Sequence, residues 1–339
     1  LVVDSVTAGV YDKVYVDLSF DWAWQGLGPW EGGFADETPI TPTGWTVAAR
    51  DFNGDGYCDL SAGSLAYFLD VWGVSPNKAD RGLILKPLDP AGNYTVFEND
   101  WYGHGTSCAE SAAGRDKVHL FAGPGIAPGA KVMGIVGLWI GDIIEGELWA
   151  AGFDLIPETE GWSPFIPSYG WVYGTWNYTG NHKADIISNS WGVSAWPIYT
   201  YGLPWYDLLT ILEDALTVPG YLHPDYPGTI IVHAGGNGAS GFGTVTGPAY
   251  GTLPITVGAS TSLNYYKQYG YKGGYHDEII SWSARGPTPL GNVKPDVVNI
   301  GAGGWVSRPV WAGGGNGSSA YGLFGGTSMA TPLTAGASA

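Results

Sequence analysis

The sequence predicts an α/β protein with a doubly wound, three-layer architecture, in which a mostly parallel sheet lies between two layers of helices. Apolar runs of strand length recur along the chain, among them ADIISNS (184–190), GTIIVHAGG (228–236) and LPITVGAS (253–260). Helix-like segments separate them, such as GELWAAGFDL (146–155) and the amphipathic YDLLTILEDAL (206–216). Because the strand runs are continuously apolar, they are typical of a parallel sheet that is buried on both faces.

The part of the chain before this alternation is less regular. Residues 1–100 contain only short strand candidates between Trp-, Tyr- and Gly-rich stretches. Further along, SCAESAAG (107–114) predicts a short helix and AKVMGIVGL (130–138) a buried strand. We therefore expect a single domain over residues 1–339, with an irregular insertion region at 1–100 and a regular core at 101–339.

Both ends of the chain resemble cut ends. The sequence starts without Met in a strand-like run, LVVDS, and stops in a helix-like run, TPLTAGASA. We expect the chain to be a piece of a longer precursor, truncated at both ends.

Composition excludes several classes of function. The chain has 31 acidic and 14 basic residues, so its formal net charge is -17. Such a surface repels polyanions, and we expect no nucleic-acid partner. No run of 18 apolar residues occurs, so we expect no membrane span in this chain. Three N-x-S/T motifs, beginning at Asn93, Asn177 and Asn316, favour a secreted or cell-surface protein.

Two cysteines are too few for a disulfide framework. Cys58 and Cys108 either form one bridge or remain free thiols, because a separation of 50 residues in sequence does not fix their geometry. We favour two free thiols.

The strongest chemical signal is the segment GGTSMATP (325–332). Two glycines followed by Ser328 at the start of a small-residue helix let a ligand approach the backbone closely. They also place the hydroxyl at a helix N-terminus, which favours negative charge. This is a suitable place for a developing oxyanion. The simpler alternative is a Gly-rich turn in which Ser328 only caps the helix.

Two other polar side chains lie among glycines. His104 lies in GHGT (103–106), where the glycines leave the imidazole uncrowded, although a single His is more often structural. Asn237 lies in AGGNG (234–238), directly after an apolar strand, where its amide can point into a crevice. Most Asn-Gly pairs, however, are only turns.

Together these segments resemble the subtilisin-like serine proteases, whose catalytic residues occur in the order Asp, His, Ser. The resemblance implies that GTSMATP supplies the nucleophile Ser328 and that GHGT supplies the general base His104. It also implies that AGGN supplies Asn237 as an oxyanion donor. It covers about residues 100–339 and implies a subtilisin-like peptidase domain with residues 101–339 as its catalytic core.

A further match concerns substrate binding. ADIISNSWG (184–192) resembles the strand whose end lines the S1 pocket in this family, with Ser190, Trp191 and Gly192 at the wall. The implied partner is an extended polypeptide substrate with a broad, apolar preference at S1.

The catalytic Asp is where the sequence departs from the family. Residues 11–40 resemble the long insertion that pyrolysin-like archaeal members carry between the catalytic Asp and His. The family's D-S/T-G motif does not occur here, and in LVVDSV the residue Val6 stands where the Gly of the motif would be, after Asp4 and Ser5. The acid is therefore either Asp4 or a residue upstream of Leu1, and in the second case this chain lacks it. Loss of that carboxylate would cost a large part of the rate.

A calcium loop is predicted in the insertion region. Asp51, Asn53, Asp55 and Asp59 place oxygen ligands at positions 1, 3, 5 and 9 of a loop with a Gly-permitted turn. Position 12 is Ala62 instead of Glu, so the loop is not a complete EF-hand. We predict structural Ca²⁺ here, and the alternative is a solvated acidic turn.

The sequence thus predicts a serine endopeptidase that forms an acyl-enzyme on Ser328. One rival is a non-catalytic subtilase-fold binding or surface-layer protein that has lost its Asp. A second rival, an α/β-hydrolase esterase, needs G-x-S-x-G and a His after the Ser in the chain. No His follows Ser328.

Overall fold

The structure is a computed structural model of the chain. It describes residues 2–18, 37–41, 47–51, 53–54, 60–65, 68–69, 84–89, 91, 94–100, 102–115, 123–135, 140–162, 170–192, 208–238, 240–263, 267, 277–289, 291–308 and 321–339.

Strands and helices are numbered in chain order. The strands are β1 (Val2–Val3), β2 (Lys13–Val14), β3 (Val47–Arg50), β4 (Leu60–Leu65), β5 (Phe68–Leu69), β6 (Ile84–Leu85), β7 (Phe97–Glu98), β8 (Phe153–Trp162), β9 (Gly170–Tyr178), β10 (Ile186–Asn189), β11 (Ile230–Ala234), β12 (Ile255–Ser260), β13 (Val297–Ile300), β14 (Gly304–Ser307) and β15 (Tyr321–Phe324). The helices are α1 (His104–Ala113), α2 (Ile140–Ala150), α3 (Leu208–Thr217) and α4 (Thr327–Ser338).

A four-stranded parallel sheet in the order β10-β11-β12-β13 forms the centre of the regular part of the chain. Its first three strands are the apolar runs that predicted it. Successive side chains of a strand point to opposite faces, and in β11 both Ile231 and Val232 are fully buried. The two faces of this strand are therefore both covered, as the continuous apolar pattern predicts.

Helices cover the two faces. On one face α4 packs against all four strands and α1 packs against α4. That layer is held by the buried cluster Val232, Val257, Ala259, Ala330 and Ala335. On the other face α3 packs against β11 and α2 packs against α3. The cluster there consists of Ala150, Ala151, Phe153, Ile187, Leu216, Tyr226 and Ile231. The predicted three-layer α/β class is confirmed.

One predicted helix is wrong at its end. GELWAAGFDL was expected to be helical through residue 155, but α2 ends at Ala150 and β8 begins at Phe153. Gly152 lies between them at a φ of +94°, a conformation that glycine adopts without steric cost. Strand β8 then forms a long antiparallel hairpin with β9. Strand β8 follows α2 so closely because the chain turns at Gly152.

The expected buried strand at 130–138 is also wrong over its described part. Residues 131–135 form no strand, and Val132, Met133 and Ile135 are exposed. A strand needs hydrogen bonds to a neighbouring strand, and an apolar pattern in one segment does not show whether such a neighbour is present.

The insertion region forms small antiparallel units. Strands β1 and β2 pair, β3 and β7 flank β4, and β5 pairs with β6. Several of its apolar side chains pack together as a separate buried cluster, Val14, Leu18, Ile40, Ala48, Leu65 and Leu88. Within the described ranges no helix is both long and apolar enough to cross a membrane.

Candidate active site

Ser328 is the second residue of α4 and follows two glycines. Gly326 has a φ of +100°, and a Cβ at this position would lie 3.1 Å from Nδ2 of Asn237. The backbone nitrogen of Gly326 also donates to the carbonyl oxygen of Gly301 at 2.8 Å. Both the conformation and the close approach favour glycine directly before the helix.

A proline within α4 frees the carbonyl of Ser328. Pro332 has no N–H and cannot donate to that oxygen four residues earlier. Instead Ser190 Oγ donates to the Ser328 carbonyl oxygen at 2.9 Å, and Cys108 Sγ donates to it at 3.6 Å. In return, Ser328 Oγ donates to the carbonyl oxygen of Ser190 at 3.2 Å. These contacts fasten the start of α4 to the end of β10.

His104 is the first residue of α1. Gly103 precedes it at a φ of +79°, and Asp100 accepts hydrogen bonds from the backbone nitrogens of Gly103 and Thr106 at 2.8 and 2.7 Å. The imidazole packs edge-on against Phe324, with 5.3 Å between ring centroids. Burial lowers the pKa of His104, and the negative charge of Asp100 partly opposes this. The imidazole is therefore neutral at neutral pH, as a general base must be.

Cys108 lies between the imidazole and the serine segment. One turn after His104 on α1, its Sγ is 3.6 Å from Nδ1 of His104 and also contacts the Ser328 carbonyl oxygen. Burial raises the pKa of this thiol to about 11, so it is protonated at neutral pH. Cys108 is a free thiol, as the sequence analysis favoured, whereas Cys58 lies outside the described residues.

Asn237 reaches the same place from the sheet. It follows β11, and its Oδ1 accepts hydrogen bonds from the backbone nitrogen and Oγ1 of Thr327 at 2.8 and 3.0 Å. Gly236, at a φ of +109°, donates its backbone N–H to the same Oγ1 at 3.2 Å. The structure thus brings Ser328, His104 and Asn237 together around the start of α4.

The segment after β10 borders this site. Trp191 packs edge-on against His233 with 4.9 Å between ring centroids, and both Ser190 and Trp191 are half-buried. A Cβ at Gly192 would lie 2.7 Å from Oγ1 of Thr246, so a larger residue would displace that neighbour. Of the three predicted substrate-wall residues, Ser190 contacts Ser328, and Trp191 and Gly192 follow Ser190 along the chain.

A sequence profile of the subtilase family, peptidase family S8, matches residues 85–339. The chain belongs to the subtilase family. Its members are serine proteases, and the family's α/β fold agrees with the layers described above.

Two curated subtilases and one solved structure are similar to this chain. Pyrolysin of Pyrococcus furiosus is 30% identical over 385 aligned positions, which cover 97% of this chain and 23% of pyrolysin. Serine protease AprX of Bacillus subtilis is 27% identical over 79% of this chain and 54% of AprX. The chain therefore spans only part of each relative. The solved structure of S41 psychrophilic protease has a TM-score of 0.45 and 19% identity over 80% of this chain and 74% of that protein.

The acidic residues of this subtilase are placed as follows. Asp4 lies in an exposed turn where its Oδ2 accepts from the backbone nitrogen of Gly9 at 2.6 Å. The strand before it, β1, pairs with β2 and belongs to a sheet other than β10–β13. Asp100 acts on His104 through its charge while its two oxygens cap α1. The sequence analysis missed Asp100, because it lies three residues before the N-cap Gly103, outside the position at which a capping side chain is expected.

The predicted calcium loop is only partly described in this subtilase. Asp51 Oδ1 accepts from the backbone nitrogen of Gly54 at 2.7 Å, and Gly54 has a φ of +74°. A sharp turn of this kind fits a cation loop, but Asp55 and Asp59 lie outside the described residues. Among those described, no three His, Cys, Asp or Glu side chains are grouped as metal ligands.

A second polar group of this subtilase was missed from the sequence. Asn189 Nδ2 donates to Oε1 of Glu147 on α2 at 2.7 Å and to Oε1 of Glu213 on α3 at 3.0 Å. His233 Nε2 on β11 lies 3.4 Å from the same oxygen of Glu213. All four side chains are buried. The burial of Glu213 could have been predicted from the sequence, because this residue shares a helical face with Leu209, Leu212 and Leu216.

Proposed function

We propose that this chain is the catalytic domain of a serine endopeptidase that cleaves polypeptides through an acyl-enzyme on Ser328. The supporting observation is that three distant segments come together at the start of α4: His104 contacts Cys108, Cys108 contacts the Ser328 carbonyl oxygen, and Asn237 accepts from the backbone nitrogen of Thr327. Family membership supports the same reaction class. The substrate is an extended polypeptide lying along the segment that contains Ser190, Trp191 and Gly192.

In the first half of the reaction His104 takes the proton of Ser328 Oγ, which attacks the substrate carbonyl carbon. Since Cys108 is next to Nδ1 of His104, Nε2 is the nitrogen left to accept that proton. The carbonyl oxygen becomes an oxyanion, and Nδ2 of Asn237 and the backbone N–H of Ser328 donate to it. His104 then gives its proton to the leaving amine, which leaves the acyl group on Ser328.

In the second half water attacks the acyl carbon and gives a proton to His104. The ester bond to Ser328 breaks, the carboxylic acid leaves, and the proton returns to Ser328 Oγ. Removal of one oxyanion donor typically costs about 3 kcal/mol in this kind of reaction.

The mechanism also requires a carboxylate that orients the imidazole of His104. Asp4 is engaged in its own turn, and Cys108 is the described side chain next to Nδ1 of His104. We therefore favour the alternative in which a residue upstream of Leu1 supplies the acid. A longer chain that includes it should have a kcat about 10⁴ times that of residues 1–339, because an unoriented imidazole takes the wrong tautomer.

Labelling with a fluorophosphonate tests the nucleophile. We expect the reagent to modify Ser328, and Ser328→Ala and His104→Ala to abolish the modification. Ser338→Ala is the matched control, since this serine lies at the other end of α4 and bonds only within the helix. Modification that persists in Ser328→Ala would contradict the proposal.

A non-catalytic binding protein is the second candidate, because a thiol takes the position next to Nδ1 of His104 where an enzyme would hold a carboxylate. It predicts that a longer chain binds peptides but is not labelled at Ser328 and does not hydrolyse casein. Hydrolysis that Ser328→Ala removes would exclude it.

We also propose that the loop containing Asp51, Asn53, Asp55 and Asp59 binds Ca²⁺. The turn held by Asp51 and Gly54 supports this. Calorimetric titration of the chelator-treated protein should show one site, and Asp51→Ala combined with Asp55→Ala should remove it. Uptake that is unchanged in the double variant would place the ion elsewhere.

A further inference from the structure

Two carboxyl groups lie beneath the candidate substrate cleft, between the sheet and the helices α2 and α3. Glu147 and Glu213 both accept from the side-chain amide of Asn189, which divides its two N–H groups between them. Glu213 is fully buried, and Oε2 of Glu147 is buried with no donor among the described residues. A single amide therefore joins two helices to the end of β10.

The same group touches both segments that form the site. Asn189 directly precedes Ser190, whose carbonyl oxygen and hydroxyl bond to Ser328. His233 packs against Trp191 and lies at 3.1 Å, through Nδ1, from the carbonyl oxygen of Ala234, three residues before Asn237. A displacement of the carboxyl pair would thus move the ends of β10 and β11 together.

The described groups that face Glu147 do not include a cation. These groups are Glu213 from α3 and Asn189 from β10, and His233 from β11 lies next to Glu213. Burial lowers the pKa of His233 to about 4, so this imidazole is neutral at neutral pH. The described groups that act on Glu147 are Asn189 and Glu213, and neither is a cation.

Two other described carboxyls of the surrounding elements have hydrogen-bond partners of their own, and His182 stacks on Trp149 at the C-terminal end of α2. Asp214 on α3 accepts from the backbone nitrogen of Leu253, and Asp154 on β8 accepts from Thr179 and Asn181. Glu145, on α2 itself, is half-buried and two residues from Glu147, so it lies on a different side of the helix. Glu147 is buried beside a second carboxyl, and no described cation acts on it, so the two carboxyls retain a proton between them.

We propose that Glu147 and Glu213 are positioning residues that share one proton and, through Asn189 and His233, hold the strand ends carrying Ser190 and leading to Asn237. The inference rests on the proposed function, because it assigns a role in the reaction to residues that do not touch substrate. When the shared proton is lost, two like charges face each other across one amide, and the strand ends separate from their helices. No covalent bond changes.

Burial raises the pKa of Glu147 to about 7, while its hydrogen bonds with Asn189 and Glu213 oppose the shift. The shared proton is therefore present below this value and is lost as the pH rises through it. Since an unfolded Glu ionises at about 4.3, stability should fall as the pH rises from there through about 7 and then level off.

Hydrogen exchange measured by mass spectrometry tests the positioning without any need for activity. The experiment measures how strongly the backbone amides of segments 189–192 and 234–237 are protected from exchange, relative to the intrinsic exchange rate at each pH. In the wild-type chain we expect protection at pH 9 to be about tenfold lower than at pH 6, because opening follows ionisation of the pair. In Glu147→Gln, whose amide mimics the protonated carboxyl, protection should be the same at both pH values. Glu147→Ala should lack protection at both.

Asp225→Asn is the control, since it removes one negative charge from a side chain that is 87% exposed and should keep the wild-type fall in protection. If Glu147→Gln does not fold, Glu213→Gln serves equally, because it also leaves one carboxyl and one amide. The proposal is overturned if the wild-type chain and Glu147→Gln lose the same amount of protection between pH 6 and pH 9, or if the wild-type chain loses none. It is also overturned if Glu147→Ala is as well protected at pH 6 as the wild-type chain.

The pH profile of kcat/KM on a peptide gives the second measurement. Wild type should be at least about tenfold less active at pH 9 than at pH 7, and Glu147→Gln should not show this fall. This profile is measured on the longer chain that includes the orienting acid. If neither that chain nor its Asp225→Asn variant hydrolyses peptide, the proposed function fails while the exchange result still decides the positioning. An alkaline fall that is equal in wild type and Glu147→Gln overturns the inference alone.

Discussion

Asn237 Oδ1 accepts two hydrogen bonds from Thr327, one from its backbone nitrogen at 2.8 Å and one from its hydroxyl at 3.0 Å. This arrangement fixes which end of the carboxamide faces α4. It leaves Nδ2 as the donor beside Gly326, two residues before the nucleophile. The oxyanion donor is therefore oriented by the same helix that carries Ser328.

The first prediction distinguishes the role of the donor Nδ2 of Asn237 from that of its acceptor Oδ1. Asn237→Asp keeps the acceptor for Thr327 but has no donor, so kcat should fall about 10²–10³-fold with little change in folding. Thr327→Val is the control, because it removes one bond to Oδ1 and leaves Nδ2 in place, and we expect a smaller loss of kcat. The measurement is kcat on a peptide substrate. If both variants lost the same activity, Asn237 would only be structural.

The second prediction concerns the acid side of the pH profile. Burial lowers the pKa of His104 below its ordinary value of 6.5, and Asp100 raises it in part. Since protonated imidazole cannot accept the proton of Ser328, kcat/KM should fall as the pH decreases through that lowered pKa. Asp100→Asn removes the opposing charge, so its acid limb should lie at lower pH than that of wild type. Asp225→Asn, at an exposed site, should leave the acid limb of the pH profile unchanged. An acid limb that does not move in Asp100→Asn would contradict the assignment of this limb to His104.

The chemistry of this site was predictable because it is local in sequence. Ser328, His104 and Asn237 each lie within two residues of glycines that set the backbone around them, and the strand that precedes Asn237 is continuously apolar. Pro332 lies in the same motif as Ser328, so the loss of a donor to that carbonyl could also have been foreseen.

The buried carboxyl pair was not predictable in the same way. Helical periodicity places Glu213 on an apolar face, but its partners Asn189 and Glu147 are 24 and 66 positions away along the chain. Only the packing of α2 and α3 on the sheet brings the three together. For the same reason residues 131–135 were mistaken for a strand, since a ladder depends on a neighbour that a local pattern does not identify. Secretion and the calcium loop remain predictions.

The third prediction concerns the thiol of Cys108. Burial raises its pKa to about 11, so at pH 8 only about one thiol in a thousand is the reactive thiolate. Iodoacetamide should modify Cys108 slowly, at a rate that rises with pH up to about 11. Modification should also block fluorophosphonate labelling, because the adduct would lie between His104 and Ser328. Mass spectrometry of Cys58→Ser follows this thiol alone, and rapid modification at pH 7 would show that it is not buried as described.

The fourth prediction tests the packing that positions α4. A Cβ at Gly336 would lie 2.7 Å from the carbonyl oxygen of Ala112 on α1 and 2.9 Å from Cβ of Ile126. That carbonyl already accepts from the backbone nitrogen of Ala127, so it has little room to move. Alanine gains about 1 kcal/mol of helix propensity over glycine, but overpacking against backbone costs about 1–3 kcal/mol. We expect the overpacking to dominate.

Gly336→Ala should therefore lower the free energy of unfolding and reduce labelling of Ser328, because the same helix carries the nucleophile two turns earlier. Gly129→Ala is the matched control, since a Cβ there meets no atom within 4 Å. Its free energy of unfolding should change by less than about 0.5 kcal/mol, as for most surface substitutions. Urea denaturation measures both variants. If Gly336→Ala were as stable as Gly129→Ala, α1 and α4 would not be in contact as closely as described, and this packing would not position His104 relative to Ser328.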